Sequence, residues 1–230
     1  MNPEELKRLV AQAACDEVLK LPPGQCLGIG TGSTANWFID LLAPHQGHFA
    51  GVVSSSMAST QRLIQRGFYV LDTNQVTDLP VYVDGADEIN PAGHMIKGGG
   101  GALTREKIIA AMAKRFICIC DASKQVAVLG QFPLPLEIIP LAQPYVIRMI
   151  ATLGGEGHLR MAGTTGQPFI TDNGGWILDV RGLSITQPLQ LEAKLNQIPG
   201  VVSVGLFAQR KADLLLVSNA TGVEAVVHTQ

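Results

Sequence analysis

The chain has 230 residues, 47 % of them nonpolar and 16 % charged, and its 17 basic and 19 acidic side chains leave a formal net charge of −2. At about 150 residues per domain, this length makes one large domain or two small ones. So nonpolar a composition excludes a disordered chain, and the charge balance carries no footprint of a nucleic-acid or membrane-surface binder.

No run reaches the roughly 18 apolar residues of a membrane span; the richest, Ile108 to Cys120, is interrupted by Lys114 and Arg115. The polar start, Met1 to Lys7, predicts neither a secretory signal nor a transit peptide. The expectation is a cytoplasmic globular protein.

Glu4 to Leu19 reads as a helix with Leu6, Val10, Ala13 and Ala14 on one face. Then follow a strand (Gln25–Ile29), a loop (Gly30–Thr34), a helix (Ala35–Leu42), a strand (Gly51–Val53) and a helix from Met57 to Arg66. Tyr69–Leu71 and Val81–Val83 read as strands, Thr104 to Arg115 as a helix and Phe116–Cys120 as a strand. Strands alternating with helices predict βαβ units and a parallel sheet.

A proline-rich crossing, Phe132 to Leu136, marks a change of texture. Beyond it the pattern predicts a strand (Glu137–Ile139), a helix (Tyr145–Leu153) and a hairpin of Phe169–Thr171 with Trp176–Val180. A helix (Leu189–Ile198) and a strand (Val201–Phe207) follow, and the end reads as a strand, Asp213–Val217, then a helix, Gly222–His228.

The expected fold is therefore α/β: a Rossmann-like parallel sheet with helices on both faces, plus a smaller α+β domain of split βαβ, ferredoxin-like type. The expected division gives residues 1–130 and 208–230 to the first domain and 131–207 to the second, the latter with an oligomerisation or lid role.

Four isolated or alternating cysteines and five scattered histidines show no ligand spacing, which predicts no disulfide framework and no protein-built metal site. The strand ends carry more information. Gly30–Thr34, Ser54–Ser56, Asp84–Asp87 and Asp121–Lys124 each follow a strand, and in an open parallel sheet such loops converge on one edge.

Gly28 to Thr34 fits neither a dinucleotide fingerprint nor a P-loop. It reads as a phosphate cradle at a helix N-terminus or as a turn capped by Ser or Thr. Asp84 and Asp87, flanking Gly85 and Ala86, suit sugar hydroxyls and proton movement between oxygens, or a turn. Lys97 leads into Gly98, Gly99, Gly100 and Gly101, either a linker or a backbone laid against developing oxyanion charge. Glu106, between Leu103 and Ile109, is either an exposed acid serving the helix dipole or a proton shuttle.

Together these segments resemble the type A ribose-5-phosphate isomerases. The matching motifs are Gly30–Thr34, Ser54–Ser56, Tyr82–Ile89, Ile96–Lys107 and Asp121–Lys124, with Pro199–Val202 and Gly205–Phe207 beyond. The resemblance implies interconversion of ribose 5-phosphate and ribulose 5-phosphate in the pentose phosphate pathway, without metal or organic cofactor.

It further implies Glu106 as the base between C1 and C2, Asp84 in ring opening and oxygen-to-oxygen proton transfer, and Asp87 and Lys97 as partners of the sugar oxygens. Gly98, Gly99 and Gly100 would stabilise enediolate charge, with Gly85 and Ala86 beside the substrate. Ser33, Thr34, Lys124 and Lys7 would hold the phosphate, with Thr31 and Gly32 among the substrate-binding residues. A homodimer or homotetramer, with no nucleic-acid or membrane partner, is the implied assembly. Residues 154–167 match the family poorly. The rival readings are a sugar-phosphate sensor without turnover and a related α/β enzyme, such as a coenzyme A transferase or an amino-sugar phosphate isomerase.

Overall fold

The computed structural model describes residues 1–77, 79–164 and 166–228. They form two compact units: Met1–Ala86 with Arg105–Gln125 and Lys211–Gln230, and Asp87–Thr104 with Val126–Arg210. The bounds differ from the expected division, because 87–104, 126–130 and 208–210 belong to the second unit. Residues 78, 165, 229 and 230 of that division lie outside the described residues.

The first unit opens with α1 (Pro3–Val18), whose start is fixed by a capping box between Asn2 and Glu5 and by Pro3 in the first turn. There follow β1 (Gln25–Ile29), α2 (Ser33–Leu42), β2 (Phe49–Ser54), α3 (Met57–Gln65) and β3 (Leu79–Asp84). In the second unit lie β4 (Glu88–Ile89) and β5 (Met95–Ile96). The helix α4 (Leu103–Met112) crosses the unit boundary and runs straight into β6 (Ala113–Asp121) of the first.

The second unit continues with β7 (Leu134–Ile138), α5 (Gln143–Thr152), β8 (Glu156–Leu159), β9 (Trp176–Arg181), α6 (Pro188–Asn196), β10 (Val201–Val204) and β11 (Leu206–Phe207). The hairpin β12 (Leu214–Asn219) and β13 (Gly222–Val227) closes the first unit.

The first unit is built on a six-stranded sheet ordered β13-β12-β6-β3-β1-β2, parallel except for the edge strand β13. Alternation along the strands sends Leu27, Ile29, Val81, Val83, Ile117 and Ile119 into one core with Val10, Ala14, Phe38, Ile39 and Leu63 of α1 to α3. Gly28 faces the other way, with Ile109 of α4 against it, so helices cover both faces. The chain leaves β1 for β2 on one side and returns to β3 on the other, which makes the C-terminal ends of β1 and β3 a switch point in strand order.

In the second unit β7, β9, β8 and β10 form an antiparallel sheet ordered β10-β7-β9-β8. With α5 between β7 and β8 and α6 between β9 and β10, this is the expected ferredoxin-like layout. The second unit also holds a three-stranded sheet ordered β11-β5-β4.

Several elements differ from expectation, each for a local reason. Tyr69–Leu71 makes only a lone bridge, Val70 to Val52, at the outer edge of β2. Ala113 and Arg115 suit a helix, yet they pair with Leu79 and Val81 and are strand, tertiary pairing overriding propensity. Leu134 and Pro135 belong to β7 rather than to a crossing; β10 pairs only from Leu136 on, so that edge asks no N–H of Pro135.

Phe169–Thr171 is no strand, its Ile170 making one bridge to Trp176, and the antiparallel neighbours of β9 are β7 and the unanticipated β8. The stretch 201–207 is two strands in two sheets, broken at Gly205, where a β-carbon would stand 2.3 Å from the Lys97 carbonyl oxygen. The last segment is a hairpin and not a helix: Asn219 accepts the N–H groups of Thr221 and Gly222 at 2.8 and 3.1 Å, turning β12 onto β13. As anticipated, β12 joins the parallel sheet, beside β6.

Candidate active site

In the first unit, Asp84 ends β3 with no exposed surface. A buried carboxylate needs donors. The N–H groups of Gly85 and Thr31 give to Oδ1 at 2.7 and 3.1 Å, and the Tyr82 hydroxyl gives to Oδ2. Tyr82 lies two residues earlier on the strand, hence on the same face. It was not anticipated as part of the site, although that spacing was the available signal.

Thr31 continues the network toward β2. Its hydroxyl shares a hydrogen bond with Ser55 Oγ at 2.7 Å and donates to Ser56 Oγ at 2.8 Å. Ser59 Oγ donates to the Gly30 carbonyl at 2.9 Å. Ser56 also caps α3, accepting from Ser59 N–H at 3.1 Å. The loops after β1, β2 and β3 are thus stitched together by hydroxyls and one carboxylate.

Glu106 sits in the first turn of α4, 3 % exposed, so it is not the solvated dipole acid of the alternative reading. The phenol of Tyr82 is held well above its ordinary range by burial first and then by the charges of Asp84 and Glu106. One neutral phenol is therefore flanked electrostatically by two carboxyl groups.

At the start of α2, Gly32 is the N-cap with φ of +120°, and no side chain caps the helix. The Ser or Thr cap of the alternative reading is absent, and the first-turn N–H groups and the Ser33 and Thr34 hydroxyls stand where an anion is favoured. Lys124 ends the short turn Ala122–Lys124 after β6, half-buried, and Asp121 folds back to accept Ser123 N–H at 2.9 Å. Lys7 gives its ammonium to Glu4 at 2.7 Å, and Glu4 also accepts from Trp37 at 2.8 Å.

In the second unit, Asp87 donates its N–H to the Ile96 carbonyl at 2.8 Å and accepts the Gly99 N–H at 2.8 Å on Oδ2. Lys97 is only 2 % exposed, its ammonium 5.6 Å from the Phe207 ring centroid. Gly98 to Gly101 close a turn through Gly101 N–H and the Gly98 carbonyl at 2.9 Å, so they are an ordered loop rather than a linker. Glu137 is buried and accepts from Thr104, Thr171 and Asn173, an anchor for the start of α4 that sequence spacing did not disclose. Gly85 and Ala86 are half-buried.

Among the described residues no group of three His, Cys, Asp or Glu side chains could hold a metal ion, and no helix is long and apolar enough to cross a membrane.

Residues 51–222 match the family model of ribose 5-phosphate isomerase A (phosphoriboisomerase A). The chain is 64 % identical to ribose-5-phosphate isomerase A of Polynucleobacter asymbioticus over 99 % of its own length and 100 % of that protein. Against the Polynucleobacter necessarius enzyme of that name, identity is 65 % over 98 % and 99 % of the two chains. The structure is similar to crystalline ribose 5 phosphate isomerase A from Neisseria gonorrhoeae, with a TM-score of 0.92, 40 % identity and coverage of 100 % and 99 %. A ribose-5-phosphate isomerase solved with phospho-erythronic acid gives 0.92 at 36 % identity, covering 99 % and 100 %.

Proposed function

The chain belongs to the ribose 5-phosphate isomerase A family and is an isomerase of ribose 5-phosphate; on that premise we propose how its residues carry the reaction. Glu106 takes the C2 proton of the open-chain aldose, leaving a C1–C2 enediolate. The same carboxyl returns a proton to C1, and the O2 proton passes to O1, giving the ketose. Asp84 serves ring opening and that oxygen-to-oxygen transfer. Asp87 and Lys97 meet sugar oxygens, and the glycine backbone supplies N–H groups for the enediolate charge.

The observation that carries this reading is the pair of carboxyl groups about the Tyr82 phenol. Aldose–ketose exchange asks for one carboxylate able to deliver to two adjacent carbons and another to serve the oxygens. Phosphate is the remote handle, received by Ser33, Thr34 and the open N-terminus of α2, with Lys124 supplying positive charge; Lys7 joins only by giving up Glu4. A relative that binds phospho-erythronic acid, a phosphorylated sugar acid, supports a site with both a phosphate end and a charged-oxygen end.

The same reading carries a cytoplasmic homodimer or homotetramer with no nucleic-acid or membrane partner. Exposed Ile139 and Leu141 on the second unit support self-association, which sedimentation velocity tests.

The deciding experiment follows ribulose 5-phosphate formation in EDTA. We expect Glu106→Gln to lower kcat by roughly 10²–10⁴-fold with little change in KM. Activity within tenfold of wild type removes Glu106 as the base.

A further inference from the structure

Four successive glycines restrict one another least of any residues, so the direction of each peptide must be imposed from outside. In the second unit the peptide joining Gly98 to Gly99 is held at both ends. Its N–H gives to Asp87 Oδ2 at 2.8 Å, and its carbonyl accepts from Arg160 Nη1 at 3.1 Å and from Gly101 N–H at 2.9 Å. The same Nη1 gives to the Gly99 carbonyl at 2.9 Å.

Arg160 is itself fixed. Its Nε and Nη2 form a fork on Asp179, with Nε to Oδ2 at 2.8 Å, and its guanidinium lies 5.8 Å from the Phe169 ring centroid. Phe169 in turn closes over Gly101, where a β-carbon would stand 2.4 Å from Cε1.

Every described peptide bond is trans, so each N–H opposes its own carbonyl. With the Gly99 carbonyl turned onto Arg160, the Gly100 N–H is directed to the opposite side of the loop, on an exposed stretch of backbone. We infer that Arg160, seated by Asp179, is a positioning residue that sets the Gly100 N–H as a donor to the enediolate oxygen. The inference rests on the isomerase mechanism above, in which the glycine backbone meets that charge.

Two physical effects follow from the arrangement. A guanidinium on the carbonyls polarises the peptides and strengthens their N–H groups as donors. It also keeps carbonyl oxygens from rotating toward an anion they would repel, a rotation glycine otherwise permits at little steric cost.

The test compares wild type with Arg160→Gln, Arg160→Lys and Asp179→Asn in the full chain. It measures kcat and KM for ribose 5-phosphate, and amide hydrogen exchange of the bonded Gly99 and Gly101 N–H groups by NMR without substrate. Arg160→Gln is expected to lower kcat by about 10- to 100-fold, with KM within about threefold, and to speed exchange at the glycines at least about tenfold. Arg160→Lys, which keeps a cation but not the fork, should recover part of both, and Asp179→Asn should fall between them.

Wild-type kcat, or unchanged glycine exchange in a folded Arg160→Gln protein, overturns the inference. If Arg160→Gln does not fold, Arg160→Lys decides by the same two readouts. Retained turnover in Glu106→Gln would instead overturn the proton-transfer assignment, while the exchange data still judge the clamp separately.

Discussion

Gly30 and Asp84 compete for one space: a β-carbon on Gly30 would stand 1.9 Å from the carboxyl carbon of Asp84. The glycine at the end of β1 thus exists so that the carboxylate at the end of β3 can fold across the switch point and take the Thr31 N–H. Gly30→Ala must push Asp84 off its donors. We expect kcat to fall by about 100-fold or more, since displacement of about 1 Å at a reacting group costs that much. Stability should fall by about 1–3 kcal/mol from overpacking. Steady-state kinetics and urea melts check both.

The Tyr82 hydroxyl links stability to pH as well as ordering Asp84. Its phenol is held above the ordinary value of 10.0 by burial and by the charges of Asp84 and Glu106. A folded value above the unfolded one means that the contribution is intact below the unfolded value and is lost as pH rises through the folded one. Wild type should therefore lose stability steeply above about pH 10, and Tyr82→Phe should lose less across the same interval. At pH 8 the same substitution should cost about 1–3 kcal/mol and lower kcat about tenfold, through the donor removed from Asp84. Equal alkaline slopes in the two proteins would count against a buried neutral phenol.

The strands and their polar ends were legible because period-2 alternation and glycine punctuation are local signals. They place Thr31, Asp84 and the serine loop at the same sheet edge before any contact is known. The partners that hold these groups were not legible. Arg160, Asp179 and Glu137 act on the glycine loop and on Thr104 from 30 or more positions away, and nothing local marks which buried charge reaches which backbone. The terminal hairpin was misread for a related reason. Val223, Val226 and Val227 suit a strand or a helix face, and only pairing with β12 chooses between them.

Asp40 offers a control remote from the chemistry. Burial pushes its carboxyl up, but hydrogen bonds and charge from Arg62 and Arg66 outweigh that and hold it below its usual 3.8. A lowered folded value gives stability that is present above the unfolded value and lost as pH falls through the folded one. Asp40→Asn should flatten the acid limb of the stability curve below about pH 4, at a cost near neutrality of under about 1 kcal/mol given solvent screening. Activity should not change. A cost of several kcal/mol would mean the pair between α2 and α3 is far better shielded than its exposure suggests.

The uncapped start of α2 gives the last prediction. Gly32 provides no side-chain oxygen for the first-turn N–H groups, and no acidic residue occupies that turn. Inorganic phosphate should then bind there and compete with ribose 5-phosphate, raising apparent KM and leaving kcat unchanged. Gly32→Asp would set a carboxylate at the cap, satisfy the N–H groups itself and repel the anion. It would also strain a residue at φ of +120°. Thr34→Val avoids that strain and removes one hydroxyl, so it should weaken phosphate inhibition and substrate binding together, by about five- to tenfold. Inhibition that is noncompetitive, or that survives Thr34→Val unchanged while substrate binding weakens, would move the phosphate handle away from α2.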